Sequence, residues 1–336
     1  MAPSGSHAGV VSFATRLNSF AVAPERYWGP EVTRPTVPQI IERAATVRGL
    51  GHVDLNYPDH VAAAGAASIA KVVRDQGLAV NGLAMRYYGN PAFKLGAFTH
   101  PDPAVRREAI ELTKRGVEAT AACGATLLTL WLGQDGFDTP FQADYATLWQ
   151  REIDAIREVA AHDPTIDISL EYKPDEPRAY SLLRDAATTL LAIGDVGAPN
   201  LGVTLDLAHV LYAGEQPAFA AALVARRSRI LGVHLNDAYG RRDDGLMVGA
   251  VHTVQTVELL RQLRRDGALG VIYFDTFPDL TGLDPVAECE ANIATVEAML
   301  QVVDALDATP ELDQAMTIQD AVTAQRIVQR CLLGAR

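Results

Sequence analysis

Residues 202–235 read GVTLDLAHVLYAGEQPAFAAALVARRSRILGVHL. The stretch opens on an apolar run, Gly202–Leu207, passes through a helical pattern over Pro217–Arg227, and closes on a second apolar run, Ile230–Leu235. Neither run alternates strictly between apolar and polar residues, as a strand with one wet face would. Both suit strands buried on two faces. Strand, helix and strand in that order form a parallel crossover unit, in which the helix covers the sheet.

The unit repeats in both directions along the chain. Apolar runs at Val10–Thr15, His52–Leu55, Ala79–Met85, Thr126–Leu132 and Ile166–Tyr172 precede it, and Val271–Phe274 follows. Helical patterns lie between them at Gln39–Leu50, Ala62–Gln76, Pro103–Ala122, Tyr145–Ala161, Ala179–Ile193, Val254–Arg265 and Pro285–Leu300. Asp102-Pro103 and Asp284-Pro285 set a capping carboxylate before a first-turn proline, and Gly124 and Gly267 stand where helices should stop. Eight such units predict the α/β class and one closed (β/α)8 TIM barrel over residues 1–304. The rival, a doubly wound open sheet, lacks support because no GxGxxG follows the first run. A further helical stretch, about Glu311 to Leu333, predicts a C-terminal helical extension over residues 305–336, packed on the barrel or on a neighbouring subunit.

Composition narrows the function. The chain of 336 residues has a formal net charge of -12 and 21% charged residues. That balance excludes nucleic acid and anionic membranes as partners, since phosphate neutralisation needs clustered Lys and Arg. It suits a site that gathers carboxylates around a cation. Cys123, Cys289 and Cys331 are widely spaced, with no CxxC pair, and read as reduced thiols of a cytoplasmic protein. The first residues, Met1 to Ser6, lack the pattern of a signal peptide, and no apolar run reaches the roughly 18 residues of a membrane span.

In such a barrel the chemistry lies at the C-terminal ends of the strands. The fifth run ends in Glu171. The sixth ends in Asp206, with His209 three residues on. The seventh ends in His234, followed by Asn236 and Asp237, and the eighth in Asp275. Any one of these acids has an ordinary use as a helix cap or ion-pair partner. Four adjacent strands delivering carboxylate, carboxylate, imidazole and carboxylate to one rim instead predict a divalent metal site. Oxygen-rich ligation with one nitrogen suits Mn²⁺, Mg²⁺ or Co²⁺.

Several of these stretches resemble a known family. Glu171-Tyr172-Lys173-Pro174-Asp175-Glu176-Pro177 is similar to the Glu-x-Lys-Pro-x-Glu-Pro motif of the xylose isomerase family, and Trp131-Leu132-Gly133-Gln134-Asp135-Gly136 to its Trp-Gly-Gly-Arg-Glu-Gly. Thr204–His209 matches the strand-six ligand followed by a histidine. His234-Leu235-Asn236-Asp237 with Asp243-Asp244-Gly245-Leu246 resembles the rhamnose isomerase and sugar epimerase branches, which also relate to the large subunits of C-glycoside deglycosidases. The likeness spans the fourth to eighth strands.

The resemblance implies that Glu171, Asp206, His234 and Asp275 bind the metal, and that Asp206 bridges to a second ion held by His209 and by Asp243 or Asp244. It implies a catalytic set of Glu171, Lys173, Asp275 and His209, with the metal stabilising an enediolate as a proton leaves next to a sugar carbonyl. Glu171 and Asp275, on flanking strands, form the acid–base pair, and Lys173 points a cation at the carbonyl oxygen. Trp131, Asn236 and Arg178 are the expected substrate contacts; for Arg178 an ion pair is the competing reading, and for Trp131 core packing. Arg241 and Arg242 balance the adjacent acids or recognise a carboxylate or phosphate, Tyr87 and Tyr88 line the pocket or pack in the core, and His252 caps a helix or lies at the surface. Where the xylose isomerases place a ring-opening histidine near the second strand, this chain has Asn56, with His52 and His60 nearby.

The function so implied is a divalent-metal-dependent sugar isomerase or epimerase. The alternative is a lyase that removes the C2 proton of a 3-oxo-glycoside and expels the aglycone by β-elimination, working with a small partner subunit. A histidine-rich endonuclease of the same superfamily fits poorly with eight histidines and an acidic chain. A sugar-binding barrel without catalysis fits poorly with intact Glu171, Lys173 and Asp275. The expected partners are a small sugar or glycoside and, by resemblance, further copies in a homo-oligomer.

Overall fold

The structure, a computed structural model, describes residues 11–334. The expected leader-free N-terminus and Val10, the first residue of the first expected strand, lie outside the described residues. Eight strands form a closed barrel: β1 Ser12–Arg16, β2 His52–Tyr57, β3 Ala79–Met85, β4 Leu127–Trp131, β5 Asp167–Glu171, β6 Leu201–Asp206, β7 Ile230–Leu235 and β8 Val271–Phe274. All neighbours pair in parallel, each strand beside the next in sequence, and β8 closes on β1 through Ser12↔Val271 and Thr15↔Phe274.

The apolar runs conceal an alternation that the barrel resolves. Side chains along a strand point alternately to opposite faces. Leu170, Val203, Leu205, Val233, Leu235, Ile272 and Phe274 join the apolar core. The intervening residues are Ser169, Glu171, Thr204, Asp206, His234 and Tyr273, all buried. The Ser169 and Thr204 hydroxyls lie 2.6 Å apart, and the His234 and Tyr273 rings are 4.4 Å between centroids. The barrel is therefore apolar outside, under the helices, and polar within.

The helices over 103–122 and 217–227 begin and end where expected, and that over 145–160 stops one residue short. Asp102 and Asp284 cap as expected, accepting from Ala104 N and Val286 N at 2.8 Å. Three of the helices before the last differ by several residues. The first ends at Ala44 and is opened by a capping box between Thr36 and Gln39. The second starts at Ala66, after Gly65 at φ +84°. The helix expected over Ala179–Ile193 spans Ala186–Val196 instead, because Asp185 caps it by accepting from Thr188 N at 2.8 Å. Tyr180–Ser181 is freed to pair antiparallel with Gly136–Phe137, where a Cβ on Gly136 would collide with the Tyr180 backbone.

The last barrel helix, Pro285–Asp307, runs through position 304, the expected end of the barrel. The extension beyond it is two helices, Pro310–Thr317 and Ala321–Leu333, and it packs on its own barrel. Arg261 donates to Asp307 at 2.7 Å and to Asp313 at 3.0 Å, and Leu312 and Ile327 are buried. No helix among the described residues is long and apolar enough to cross a membrane.

Candidate active site and metal centre

Strand register brings the four expected ligands together. Glu171, the last residue of β5, pairs with Thr204 of β6, and Asp206 pairs with His234 of β7. Asp275 follows the end of β8 directly. One potential ligand atom from each of Glu171, Asp206, His234 and Asp275 lies within 4.8 Å of the others. Nδ1 of His234 is 3.3 Å from Glu171 Oε1 and 3.8 Å from Asp206 Oδ2.

The electrostatics of this cluster are those of crowded charge. Burial pushes the Asp206 carboxyl up, and Asp243, Asp275 and Glu171 add to that against the pull of His209, so it reaches about 7. Burial also raises the Glu171 carboxyl, but His234, His209 and Arg86 more than reverse this and hold it at about 2. The His234 imidazole is lowered by burial and raised further by Glu171, Asp275 and Asp206, to about 9. Buried His234 Nδ1, His209 Nδ1 and Asp275 Oδ1 have no hydrogen-bond partner among the described residues. Polar atoms so buried are normally paired. Three acids and an imidazole around orphaned inward atoms fit an oxygen-rich divalent cation.

A second tier surrounds the cluster. His209 Nε2 lies 3.1 Å from Asp243 Oδ2, and its Nδ1 is 3.6 Å from Glu171 Oε1. Of the two acids expected near His209, Asp243 is the one that arrives. Asp244 instead accepts from Tyr239 N at 2.9 Å and from Arg242 Nε at 2.7 Å, so Arg242 does balance its neighbour. The loop is held by the pairing of Asp237 with Leu246 and by Asp237 Oδ2, which accepts from Val251 N and His252 N. His252 is half-buried at the start of its helix, and its ring bonds Asp237 rather than the helix end.

A cavity of about 380 Å³ opens above the cluster. Glu171, Asp275, His209, Asp243 and Lys173 line it, together with Trp131, Tyr88, Arg16, Arg86 and Phe277. Lys173 is buried; its ammonium lies 2.8 Å from Glu176 and 3.2 Å from Asp243, and 5.2 Å from the Trp131 ring centre. Trp131 presents a buried Nε1 with no hydrogen-bond partner among the described residues. Tyr88 reaches the cavity, whereas Tyr87 is core, its hydroxyl 2.7 Å from that of Thr113.

Two expected substrate contacts lie elsewhere. Asn236 is fully buried behind the ligands: its Nδ2 donates to both Asp206 oxygens and to Asp275 O, each at 3.2 Å, and its Oδ1 accepts from Ala208 N at 2.8 Å. Arg178 is buried away from the cavity, pairing with Asp138 at 3.1 Å and donating to Lys94 O at 3.1 Å. The ion pair was the competing reading of Arg178. His60 turns to Asn18 at 2.6 Å and to the Asn56 amide at 2.9 Å. Sequence reasoning missed Arg16, Arg86 and Phe277. The first two stand at the ends of β1 and β3, so the rule applied to strands five to eight would have found them.

The profile of the family described as xylose isomerase-like TIM barrel matches residues 43–309. A xylose isomerase of Thermus thermophilus is 28% identical over 211 residues, covering 61% of this chain and 54% of that protein. A probable sugar isomerase of Rhizobium meliloti is 33% identical over 163 residues, covering 48% of this chain and 37% of that protein. The chain thus spans about half or less of the length of these curated relatives. Among solved structures, an L-ribulose 3-epimerase superposes with a TM-score of 0.67 at 18% identity, covering 88% of this chain and 96% of that one. A xylose isomerase domain protein from Alicyclobacillus acidocaldarius gives 0.66 at 19%, covering 88% and 100%.

Proposed function

Because the chain belongs to the xylose isomerase-like TIM barrel family, we propose that it is a divalent-metal-dependent sugar isomerase or epimerase. The observation that carries this reading is the convergence of Glu171, Asp206, His234 and Asp275 within 4.8 Å at the floor of an open cavity. The curated relatives are sugar isomerases, and a solved neighbour is a D-allulose 3-epimerase in complex with D-allulose.

These four side chains would hold Mn²⁺, Mg²⁺ or Co²⁺, and His209 with Asp206 and Asp243 would hold a second ion. A cation bound there would supply Lewis-acid polarisation of carbonyl and hydroxyl oxygens. Glu171 and Asp275, on strands that flank Asp206 and His234, act as base and acid for the proton beside the carbonyl. Lys173, held by Glu176 and Asp243, directs its ammonium to the carbonyl oxygen. Trp131 provides the flat wall for the carbon face of the sugar and keeps water from it. Asn236 fixes the Asp206 carboxylate from behind. The free thiols, two of them buried, suit a cytoplasmic protein.

The test is proton exchange. Purified protein with Mn²⁺ is incubated in D₂O with a panel of aldoses and ketoses, and deuterium entry next to the carbonyl is followed by NMR. Exchange that stops with chelator and returns with Mn²⁺ is expected. Failure to bind any divalent ion in calorimetry would end the reading. The lyase alternative shares the proton removal and is distinguished by aglycone release from a 3-oxo-glycoside.

A further inference from the structure

Three cations face the cavity, and they are not equivalent. Arg16 lies 2.9 Å from Asp279 and 3.8 Å from Asp275. Lys173 is shared between Glu176 and Asp243. Arg86, placed directly after β3, forms no ion pair among the described residues, and its Nε is buried without a hydrogen-bond partner. The Tyr88 ring centre is 6.0 Å from the guanidinium carbon. In the barrel order β3 stands across from β7, the strand of His234. A guanidinium with no ion pair or side-chain hydrogen bond among the described residues thus occupies the wall opposite the imidazole of the cluster, where it exerts a longer-range pull on Glu171 and Asp54.

We propose that the substrate is a sugar acid, whose carboxylate is taken by Arg86 while its carbonyl end faces Glu171, Asp206, His234 and Asp275. The carbonyl end of this assignment rests on the isomerase reading above; the carboxylate subsite stands on Arg86 alone. A guanidinium presents a planar fork of donors that matches a carboxylate. A neutral sugar would leave the fork facing hydroxyls and forgo the stronger charged hydrogen bonds. A phosphate dianion suits the cavity less well. Glu171, Glu176, Asp243 and Asp275 already line it, Arg16 is shared between Asp279 and Asp275 and Lys173 between Glu176 and Asp243, so the one guanidinium left without an ion pair answers one negative charge.

The experiment measures binding by calorimetry, with and without Mn²⁺, for D-glucuronate and D-galacturonate against D-glucose, D-galactose and D-glucose 6-phosphate. At least one uronate is expected to bind about ten- to a hundredfold tighter than its neutral counterpart, the range of one charged hydrogen-bonded pair. In Arg86→Gln that ratio falls to near one, and Arg86→Lys restores part of it. No uronate preference, a preference for the phosphate, or a ratio unchanged in Arg86→Gln overturns the proposal. Titration of Mn²⁺ alone tests the metal reading separately, so metal binding without acid preference defeats only the carboxylate subsite. Acid preference without metal binding defeats only the isomerase reading.

Discussion

Nδ1 of His234 stands 3.3 Å from Oε1 of Glu171, although β6 separates the strands that carry them. The contact exists because both side chains turn into the barrel at its rim, toward the same point as Asp206. Without an ion, the two stand within ion-pairing distance; a divalent cation held there would displace the proton from the imidazole nitrogen. Glu171→Gln removes one of the three proposed ligand carboxylates and the counter-charge of the imidazole. We expect at least about a hundredfold loss of Mn²⁺ affinity, since even outer partners of metal ligands are worth tenfold or more. The check is metal titration by calorimetry. Unchanged affinity would remove Glu171 from the ligand set.

Asn236 gives a second and independent test. Its amide donates to both oxygens of Asp206 and to Asp275 O, so it orients one proposed ligand and the turn that bears another. Asn236→Ala is expected to weaken Mn²⁺ binding by about ten- to a hundredfold. Asn236→Asp should do worse, because it sets a carboxylate against Asp206 at the same distance. A substrate-contact role would predict instead a raised KM at unchanged metal affinity.

That Glu171, Asp206, His234 and Asp275 would converge is legible in the sequence, for a geometric reason. In a closed parallel barrel every strand ends at one rim, so reading strand ends in order lists the residues of a single ring. Glu171, Asp206, His234 and Asp275 were found that way, and the same rule extended to β1 and β3 reaches Arg16 and Arg86. The rule fails beyond the strand. Asp243 and Asp244 are neighbours in sequence, and only the closure of their loop by Asp237 and Leu246 decides which one meets His209. Arg178 lies past the turn at Glu176, which has φ +68°, and the chain there aims it at Asp138. The expected helix over Ala179–Ile193 failed similarly: composition favoured a helix, but the cap at Asp185 and the ribbon with Gly136–Phe137 set its start.

Lys173 is poised at the cavity wall with its charge already bound by two acids and an aromatic face. Removing that charge with Lys173→Met should leave metal affinity within a few fold while cutting kcat by about a hundred- to a thousandfold, the usual cost of losing one donor to a developing oxyanion. The comparison is steady-state kinetics beside Mn²⁺ titration. A loss confined to KM would assign Lys173 to ground-state binding.

Glu152 carries a pH dependence unconnected with the site. It is fully buried, and neither carboxyl oxygen has a hydrogen-bond partner among the described residues. Burial first, and the nearby Asp135 charge second, push this carboxyl well above the usual range. For an acid raised in the folded state, the folded protein binds the extra proton. Its stabilisation is complete below the ordinary value of 4.5 and is lost as pH rises through the folded value. Glu152→Gln stays neutral throughout, so the Tm of the variant minus that of the parent should increase from pH 5 to pH 9. A difference flat across that range would show that Glu152 ionises at little cost.

Gly245 shows how a residue outside the ligand set shapes the cavity. It lies at φ +55°, and a Cβ there would overlap the ring of Phe277, which lines the cavity and stacks under Arg16 with 4.9 Å from guanidinium carbon to ring centre. Gly245→Ala therefore strains the backbone and displaces an aromatic wall together. The first effect costs about 1–2 kcal/mol, the usual penalty of a left-handed alanine, and should appear as a lowered denaturation midpoint. The second should raise KM severalfold at nearly constant Mn²⁺ affinity, because Phe277 touches no member of the metal cluster through a polar contact. If KM holds while stability falls, Phe277 has room to shift and the wall it forms does not contact substrate.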